Sequence, residues 1–367
     1  MQSEIQAQYY IDPAIFEREQ KQLFGKLWIF AGLRTLLAEP NAFLTRTIAG
    51  IPLVIQNMSG TLKAFENQCA HRQMPLQLDE YGQRRLACRY HGWTYDGNGC
   101  AKTIPDEQTL YRFTSEERSA LCLREFVIEV IGNLIFVNVD KNPIPIEQQF
   151  TEEFRTQLTS ISSHFSSQAI HTRIPARYNW KLNFENVLDG NHVAYVHPRT
   201  FQPFLQADAG KPEVAERETA VDGTALSSLS FSTTMPMSIP SWPWHAMVNQ
   251  YGQADTFHDF FIYPNVNFIS VGGRVFLIQQ FDPIAADRTE VRLTLTTARE
   301  KQRINALPAI LWGHMKDEAR VLNEDKVLLE ALQARLHAGG QPACHGAYET
   351  QLRRVADVYL RLMGDKA

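Results

Sequence analysis

The hydrophobic pattern changes period along the chain, and each change marks a change of element. Between residues 9 and 38, Asp12-Pro13 followed by apolar positions at Ile15, Phe16, Leu23 and Leu27 has a helix start and helical spacing, so an amphipathic opening helix is expected. Trp28 and Phe30 are expected to continue its apolar surface. From about residue 42 the pattern shortens to that of strands: FLTRTI, PLVIQN and TLKAFEN, punctuated by Gly50 and by Ser59-Gly60. This all-β stretch ends in FVIEVIGNLIFVNV, where Gly132-Asn133 between two β-rich runs reads as a hairpin turn. Pro143 and Pro145 mark a linker. Beyond it, NWKLNFENVLDGNHVAYVH (residues 179–197) has the texture of a helix that distorts or ends near its second histidine. DFFIYPNVNFISV, RVFLIQQFDP and TEVRLTLTTAR read as strands of a large antiparallel sheet. Finally, HMKDEARVLNEDKVLLEALQARL carries an apolar stripe at Met315, Leu322, Leu329, Leu332 and Leu336. The expected class is α+β, divided into an N-terminal helical segment (1–38) packing on the last domain, an all-β domain (39–146) and an antiparallel sheet with helices (147–367).

Composition narrows the chemistry by exclusion. With 367 residues there is room for two cores, and 44% hydrophobic with 21% charged residues is ordinary globular usage, which sets a disordered chain aside. Thirty-six basic against 40 acidic residues, with no long basic run, argue against a nucleic-acid partner. The N-terminus lacks a basic region followed by an apolar core and no apolar run is membrane-long, so a cytoplasmic protein without a membrane partner is expected. Five cysteines are too few for a disulfide scaffold in a chain of this length. Cys100, Cys122 and Cys344 are expected as buried thiols or bystanders, whereas Cys69 and Cys88 sit in a metal-binding pattern.

That pattern is Cys69-x-His71 and Cys88-x-x-His91, with sixteen residues (72–87) between the pairs, each on a loop at a sheet end. A structural zinc finger usually offers a cysteine pair and then a histidine pair; here each loop offers one of each. A mixed pair on each of two loops lets one iron of a two-iron two-sulfur cluster take both thiolates and the other both imidazoles, the Rieske arrangement. Gly92 permits a tight turn after His91, and Trp93 provides an aromatic cover. About a hundred residues further on, Asp189 and His192 are three apart, on one face of a helix, and His197 follows. Two histidines and a carboxylate suit a mononuclear iron with open positions. The carboxylate is sought on the late helix, where Asp325 falls within the apolar stripe and a buried carboxylate needs a compensating partner. Glu318 lies near the stripe as the alternative, and Glu324 is expected to point elsewhere.

Taken together, Cys69-Ala-His71-Arg72, Cys88-Arg89-Tyr90-His91-Gly92-Trp93, Asn179-Trp180-Lys181, Glu185-Asn186, Asp189, His192 and His197 resemble the terminal oxygenase (alpha) subunit of Rieske non-heme iron ring-hydroxylating oxygenases. The chain departs from that pattern at Gln73, where a glycine is usual, and at Asn191, where an aromatic is often found. The resemblance implies a helix-grip catalytic domain and a homotrimer. In it, Asp189 would bridge His192 to His91 of the neighbouring subunit, and His192, His197 and Asp325 would hold Fe(II). It also matches the acidic pair Glu324-Asp325 to the family's late-helix ligand. No dinucleotide fingerprint is present, so electrons from NAD(P)H must arrive through a separate reductase, with or without a ferredoxin.

The expected reaction is mono- or dioxygenation, or oxidative demethylation, of a small organic substrate, for which an aromatic compound is the first expectation. A quaternary ammonium held by cation-π contacts is the other. Candidate pocket residues are Asn183, Phe184, Val187 and Leu188 on the iron-bearing helix, with Phe204, Phe268, Phe276 and Trp312 as walls. Trp242, Trp244 and Tyr251 are further candidates, and residues 206–256 are the expected covering. The competing readings are a Rieske electron carrier without oxygenase activity, distinguished by substrate-dependent oxygen uptake, and a zinc-stabilised module, distinguished by a colourless preparation without sulfide.

Overall fold

Asp12 caps the first helix, α1 (Pro13–Glu19), by accepting from the N–H of Ala14 at 2.8 Å, with Pro13 at the first helical position. In the computed structural model, which describes residues 3–205, 225–341 and 343–366, this helix widens into one π-turn, Gln20–Phe24, and stops. The apolar residues that follow do not continue it. Ile29–Leu33 is a fully buried strand, β1, and a short run without polar alternation looks the same in a sequence whether it is helix or strand. Two compact units result: Phe24–Ile146, and Met1–Leu23 together with Glu147–Ala367. The first division therefore falls at residue 23/24, fifteen residues before the expected 38/39, because β1 belongs to the β unit.

In that unit β1 is joined by β2 (Ala42–Ile48), β3 (Ile51–Met58), β4 (Thr61–Glu66), β5 (Tyr81–Gln83), β8 (Glu125–Ile131) and β9 (Leu134–Asn138), in the order β1-β9-β8-β4-β3-β2-β5. All neighbours are antiparallel, and Gly132-Asn133 makes the β8–β9 turn with Gly132 at φ 60°. A small hairpin of β6 (Thr94–Tyr95) and β7 (Ala101–Thr103) lies between β5 and the short helix α2 (Ser115–Ser119). Cys100 and Cys122 were expected to be free; they face each other across an isolated antiparallel bridge and form a disulfide, whereas Cys344 is free and exposed. Nothing in their 22-residue separation signals the pairing.

The other unit is a six-stranded antiparallel sheet in the order β10-β15-β14-β13-β12-β11. Its strands are β10 (Phe165–Ala176), β11 (Phe231–Pro236), β12 (Thr256–Ile262), β13 (Val266–Val271), β14 (Val275–Ala285) and β15 (Arg288–Ala298). Besides α1, its helices are α3 (Glu152–Ser162), α4 (Trp180–Leu188), α6 (Leu307–His337) and α7 (Thr350–Leu362), with a one-turn α5 (Val193–Val196) after α4. Alternation along the strands separates two faces. One, carrying Phe260, Phe268 and Phe276, packs on Phe154 of α3 and on Phe165. The opposite face, carrying Phe257, Asp259 and Phe261, continues to Tyr263, whose ring meets Phe184 of α4 at 5.9 Å. Among the described residues no helix is long and apolar enough to cross a membrane.

The start of α4 is held by polar groups buried beneath it. Lys181 Nζ lies 2.5 Å from Glu19 Oε1, with both side chains buried. Trp180 Nε1 and Tyr359 of α7 also donate to Glu19, at 3.0 and 2.6 Å, and the ammonium sits 5.1–5.4 Å from the rings of Tyr10, Trp180 and Tyr359. Gln333 of α6 accepts from Asn179 N–H and donates to the Tyr10 carbonyl. It occupies the buried position expected for Leu332, which is 51% exposed. Removing one member of such a pair strands a buried charge. Lys181→Met is therefore expected to destabilise this unit by about 3–5 kcal/mol, and Lys181→Met with Glu19→Gln to recover most of the loss, as measured by urea denaturation.

Candidate metal centres

The two cysteine–histidine loops of the β unit share one hydrogen-bond pattern. Cys69 N–H donates to the Met74 carbonyl at 2.9 Å, and Gln73 N–H donates back to the Cys69 carbonyl at 2.9 Å. Cys88 N–H donates to Trp93 O at 2.8 Å, and Gly92 N–H to Cys88 O at 3.1 Å. In both loops the fourth residue after the cysteine is left-handed: Gly92 at φ 74° and Gln73 at φ 62°. Gln73, the departure from the family's glycine, thus keeps the glycine's backbone conformation, which costs a side-chain-bearing residue about 1–2 kcal/mol.

Both cysteines are free and buried, and the histidines are half-buried with ring centroids 4.6 Å apart. Burial pushes the Cys69 thiol up, while the hydroxyl of Tyr95, donating to Sγ at 3.1 Å, favours the thiolate. His71 stacks on Trp93 at 5.0 Å and meets Tyr111 edge-on at 5.4 Å. The buried His71 Nδ1 and Trp93 Nε1 have no hydrogen-bond partner among the described residues. A ligating imidazole nitrogen awaiting its metal has this character. One thiol and one imidazole on each of two like loops suit a two-iron cluster better than the cysteine pair and histidine pair of a structural zinc site. In the other unit, His192, His197 and Asp325 bring three donor atoms within 4.8 Å of one another.

The second centre forms where α4 ends. The helix was expected to distort or end near the second histidine; it ends earlier, at Asp189, which is extended (φ −95°, ψ 102°). Its Oδ1 accepts from Asn191 N–H at 2.9 Å, so Asn191 serves a tight turn in place of an aromatic contact. His192 then begins α5 and His197 ends it. The turn points His192 Nδ1 at the Asp189 backbone carbonyl, and Asp189 Oδ2 lies 3.8 Å from the same nitrogen. Burial pushes the Asp189 carboxyl up, but hydrogen bonds from His192 and from Asn191 N–H outweigh it and hold it below its usual range.

His197 is clasped between the two acidic residues of α6. Its Nδ1 is 2.8 Å from Glu324 Oε2, which also accepts from Thr200 Oγ1 at 2.6 Å; its Nε2 is 3.0 Å from Asp325 Oδ1. His192 Nε2 is 3.6 Å from the same oxygen. Glu324, expected to point elsewhere, is thus the residue that orients a ligand. Burial pushes the His197 pKa down, but its contacts with Asp325 and Glu324 outweigh burial and raise it, so its Nε2 can face Asp325 Oδ1 with a proton or with a metal ion between them. Glu318, the alternative ligand, is absent from this group, and burial pushes its carboxyl up to about 7.

The expected pocket residues divide. Asn183 and Phe184 are buried on α4, with Asn183 Oδ1 accepting from Tyr178 OH at 2.5 Å and its Nδ2 unpartnered; Val187 and Leu188 are half-buried. Phe204 lies half-buried in a turn after His197. Phe268 and Phe276 are fully buried on the α3 face of the sheet, away from the metal helices, and Trp312 is 59% exposed on α6, so these three do not form pocket walls within the chain. Trp242, 57% exposed, borders an open cavity with His245, Arg274 and Lys301. Of the expected covering, residues 206–224 lie outside the described residues.

Two outcomes follow from this geometry. Glu324→Ala should weaken iron binding by about 10- to 100-fold in competition with a chelator and leave the cluster's visible absorption unchanged. In the other unit, Gln73→Gly should hold or raise stability by up to about 1 kcal/mol. By contrast, Gly92→Ala, whose Cβ would stand 3.2 Å from Pro105 Cγ at φ 74°, should lower stability and cluster content, read by thermal unfolding and sulfide analysis.

Comparison with known proteins gives the same two parts in the same order. Residues 28–114 match the Rieske [2Fe-2S] domain, and residues 164–365 match the ring hydroxylating alpha subunit (catalytic domain). The chain is 27% identical over 343 residues to the carnitine monooxygenase oxygenase subunit of Acinetobacter pittii, covering 90% of this chain and 85% of that one. It is 30% identical over 202 residues to the glycine betaine monooxygenase oxygenase subunit of Pseudomonas aeruginosa, covering 54% and 46%. In fold it is similar to a quaternary ammonium Rieske monooxygenase in complex with L-carnitine (TM-score 0.73, 20% identity, 98% and 94% covered). Naphthalene 1,2-dioxygenase from Rhodococcus sp. bound to indole is also similar (TM-score 0.72, 17% identity, 97% and 93% covered). The catalytic-domain match alone spans more than half of the chain. The protein therefore belongs to the ring-hydroxylating alpha-subunit family, as the terminal component of a Rieske non-heme iron oxygenase with a two-iron two-sulfur cluster, a mononuclear iron and electrons supplied by a separate reductase.

Proposed function

We propose that this oxygenase acts on a small N-alkylated ammonium compound, with the cluster held by Cys69, His71, Cys88 and His91 and the mononuclear iron by His192, His197 and Asp325. The observation that carries the iron assignment is the convergence of two imidazole nitrogens on the unpartnered Oδ1 of a buried aspartate. The substrate class is favoured by the relatives named for carnitine and glycine betaine, both quaternary ammonium compounds. When bound, the cluster supplies electrons and the iron supplies oxygen-activating chemistry.

The chain's own residues prepare that chemistry. Asp189 and Glu324 occupy the Nδ1 side of the two histidines, which leaves each Nε2 lone pair directed at the metal position. The burial of His197 and Asp325 keeps water from one side of the centre. Asp189 keeps a partly exposed carboxylate, and by our reading it meets His91 of a neighbouring copy in a homotrimer, giving a short hydrogen-bonded path between centres of two subunits. The reductase, directly or through a ferredoxin, delivers NAD(P)H-derived electrons in the cytoplasm.

Asp189→Ala is the test. The variant should keep about three irons and two sulfides per chain while substrate-dependent oxygen uptake with a competent reductase drops by about 100-fold or more. Unchanged uptake would remove Asp189 from the path. Only two irons per chain in the wild type, with none exchangeable, would remove the triad assignment.

A further inference from the structure

We propose that Asp259, with the side-chain carbonyls of Asn267 and Gln279, is the anionic patch that recognises the cationic group of the substrate. The inference rests on the ammonium reading above and adds to it the residues that select for charge. Strand register places the three together: Asn267 is opposite Phe261, two residues from Asp259 on the same face, and Gln279 is opposite Asn267. This is the face that continues to Tyr263 and Phe184 of α4. It also adjoins the metal loop, because Phe257, two residues before Asp259, packs on Phe201 at 5.2 Å, and Phe201 N–H donates to the carbonyl of His197 at 3.2 Å.

All three polar side chains are buried, at 9%, 2% and 5% exposure. Asn267 is hydrogen-bonded to the Asp259 carboxylate, yet Asp259 Oδ1, Asn267 Oδ1 and Gln279 Oε1 each lack a partner among the described residues. These unsatisfied atoms are all acceptors. Burial pushes the Asp259 carboxyl up to about 7, and no lysine or arginine among the described residues offsets its charge. Three buried acceptors without a donor or cation are costly against a hydrocarbon and suit an organic cation. Phe257 and Phe261 flank Asp259 on the same face, and aromatic rings beside a carboxylate favour an alkylammonium over a hydrated metal ion.

The test compares cations with an uncharged isostere. Binding of tetramethylammonium, choline, glycine betaine and carnitine, and of 3,3-dimethyl-1-butanol as the neutral counterpart of choline, is measured by calorimetry on the iron-loaded enzyme. The wild type should bind at least one ammonium and prefer choline to its isostere by about tenfold or more. Asp259→Asn should raise the ammonium Kd by about tenfold and bring the choline-to-isostere ratio towards one, with iron content and cluster spectrum unchanged. Its ligand-free Tm should equal or exceed that of the wild type, since an uncompensated buried charge is gone. Gln279→Leu should give a smaller loss of the same preference. If the wild type prefers the cation and Asp259→Asn keeps that preference, the patch assignment falls while the substrate reading stands. If the wild type binds no ammonium compound, the substrate reading falls and this inference with it.

Discussion

The candidate metal position of the larger unit depends on one buried imidazole held between two carboxylates. His197 Nδ1 lies 2.8 Å from Glu324 and its Nε2 3.0 Å from a carboxylate oxygen of Asp325; burial pushes the imidazole's pKa down, but these two contacts outweigh it and raise it. In a dry interior a carboxylate at that distance needs positive charge beside it, as a proton on the imidazole or as a metal ion bound by both groups. The fold holds these groups in place. The 31-residue α6 presents adjacent acidic residues to opposite nitrogens of one ring, and the break of α4 at Asp189 delivers His192 to the same oxygen. Beneath the break, the buried Glu19–Lys181 pair and Gln333 fix where α4 begins. The metal position is thus braced by ordinary satisfied polar contacts one helix length away.

The β unit reaches a comparable preorganisation by repetition. Two loops with the same pair of backbone hydrogen bonds and the same left-handed residue hold one thiol and one imidazole each. Gln73 shows that the hydrogen-bonded loop, and not the identity of its turn residue, sets the geometry. Trp93, Tyr95 and Tyr111 then close the site from the side, two of them by ring contact with His71 and one by a hydroxyl on Cys69 Sγ.

Much of this was legible in the residues, and the exceptions have physical causes. That Cys69/His71 and Cys88/His91 lie on two like loops, and that His192, His197 and Asp325 converge, was readable from residue type and spacing and, for Asp325, from helical periodicity. Glu324 was not, because helical periodicity assigns neighbours to different faces and takes no account of an imidazole having two opposed nitrogens. Strand Ile29–Leu33 was hidden because a short, wholly buried strand has no alternation to reveal it. Phe268 and Phe276 looked like pocket walls because apolar strands on both faces of a covered sheet are equivalent in sequence; only register tells the α3 face from the metal face. Asp259 sits in the run TFHDFFI, where a single acid among aromatics carries no period at all.

That last position separates two kinds of work between two kinds of element. The ends of α5 and the middle of α6 carry the proposed metal donors, and the two histidines are each oriented by a second residue at Nδ1. The strands supply the opposite wall, where Asp259, Asn267 and Gln279 belong to a ladder that backbone hydrogen bonds maintain whatever the side chains are. A substitution on β12, β13 or β14 therefore alters what the wall attracts without moving a metal ligand. A family with one chemistry and many substrates has a structural basis in that separation. In this chain the wall is acidic and acceptor-rich where a hydrocarbon would need it apolar.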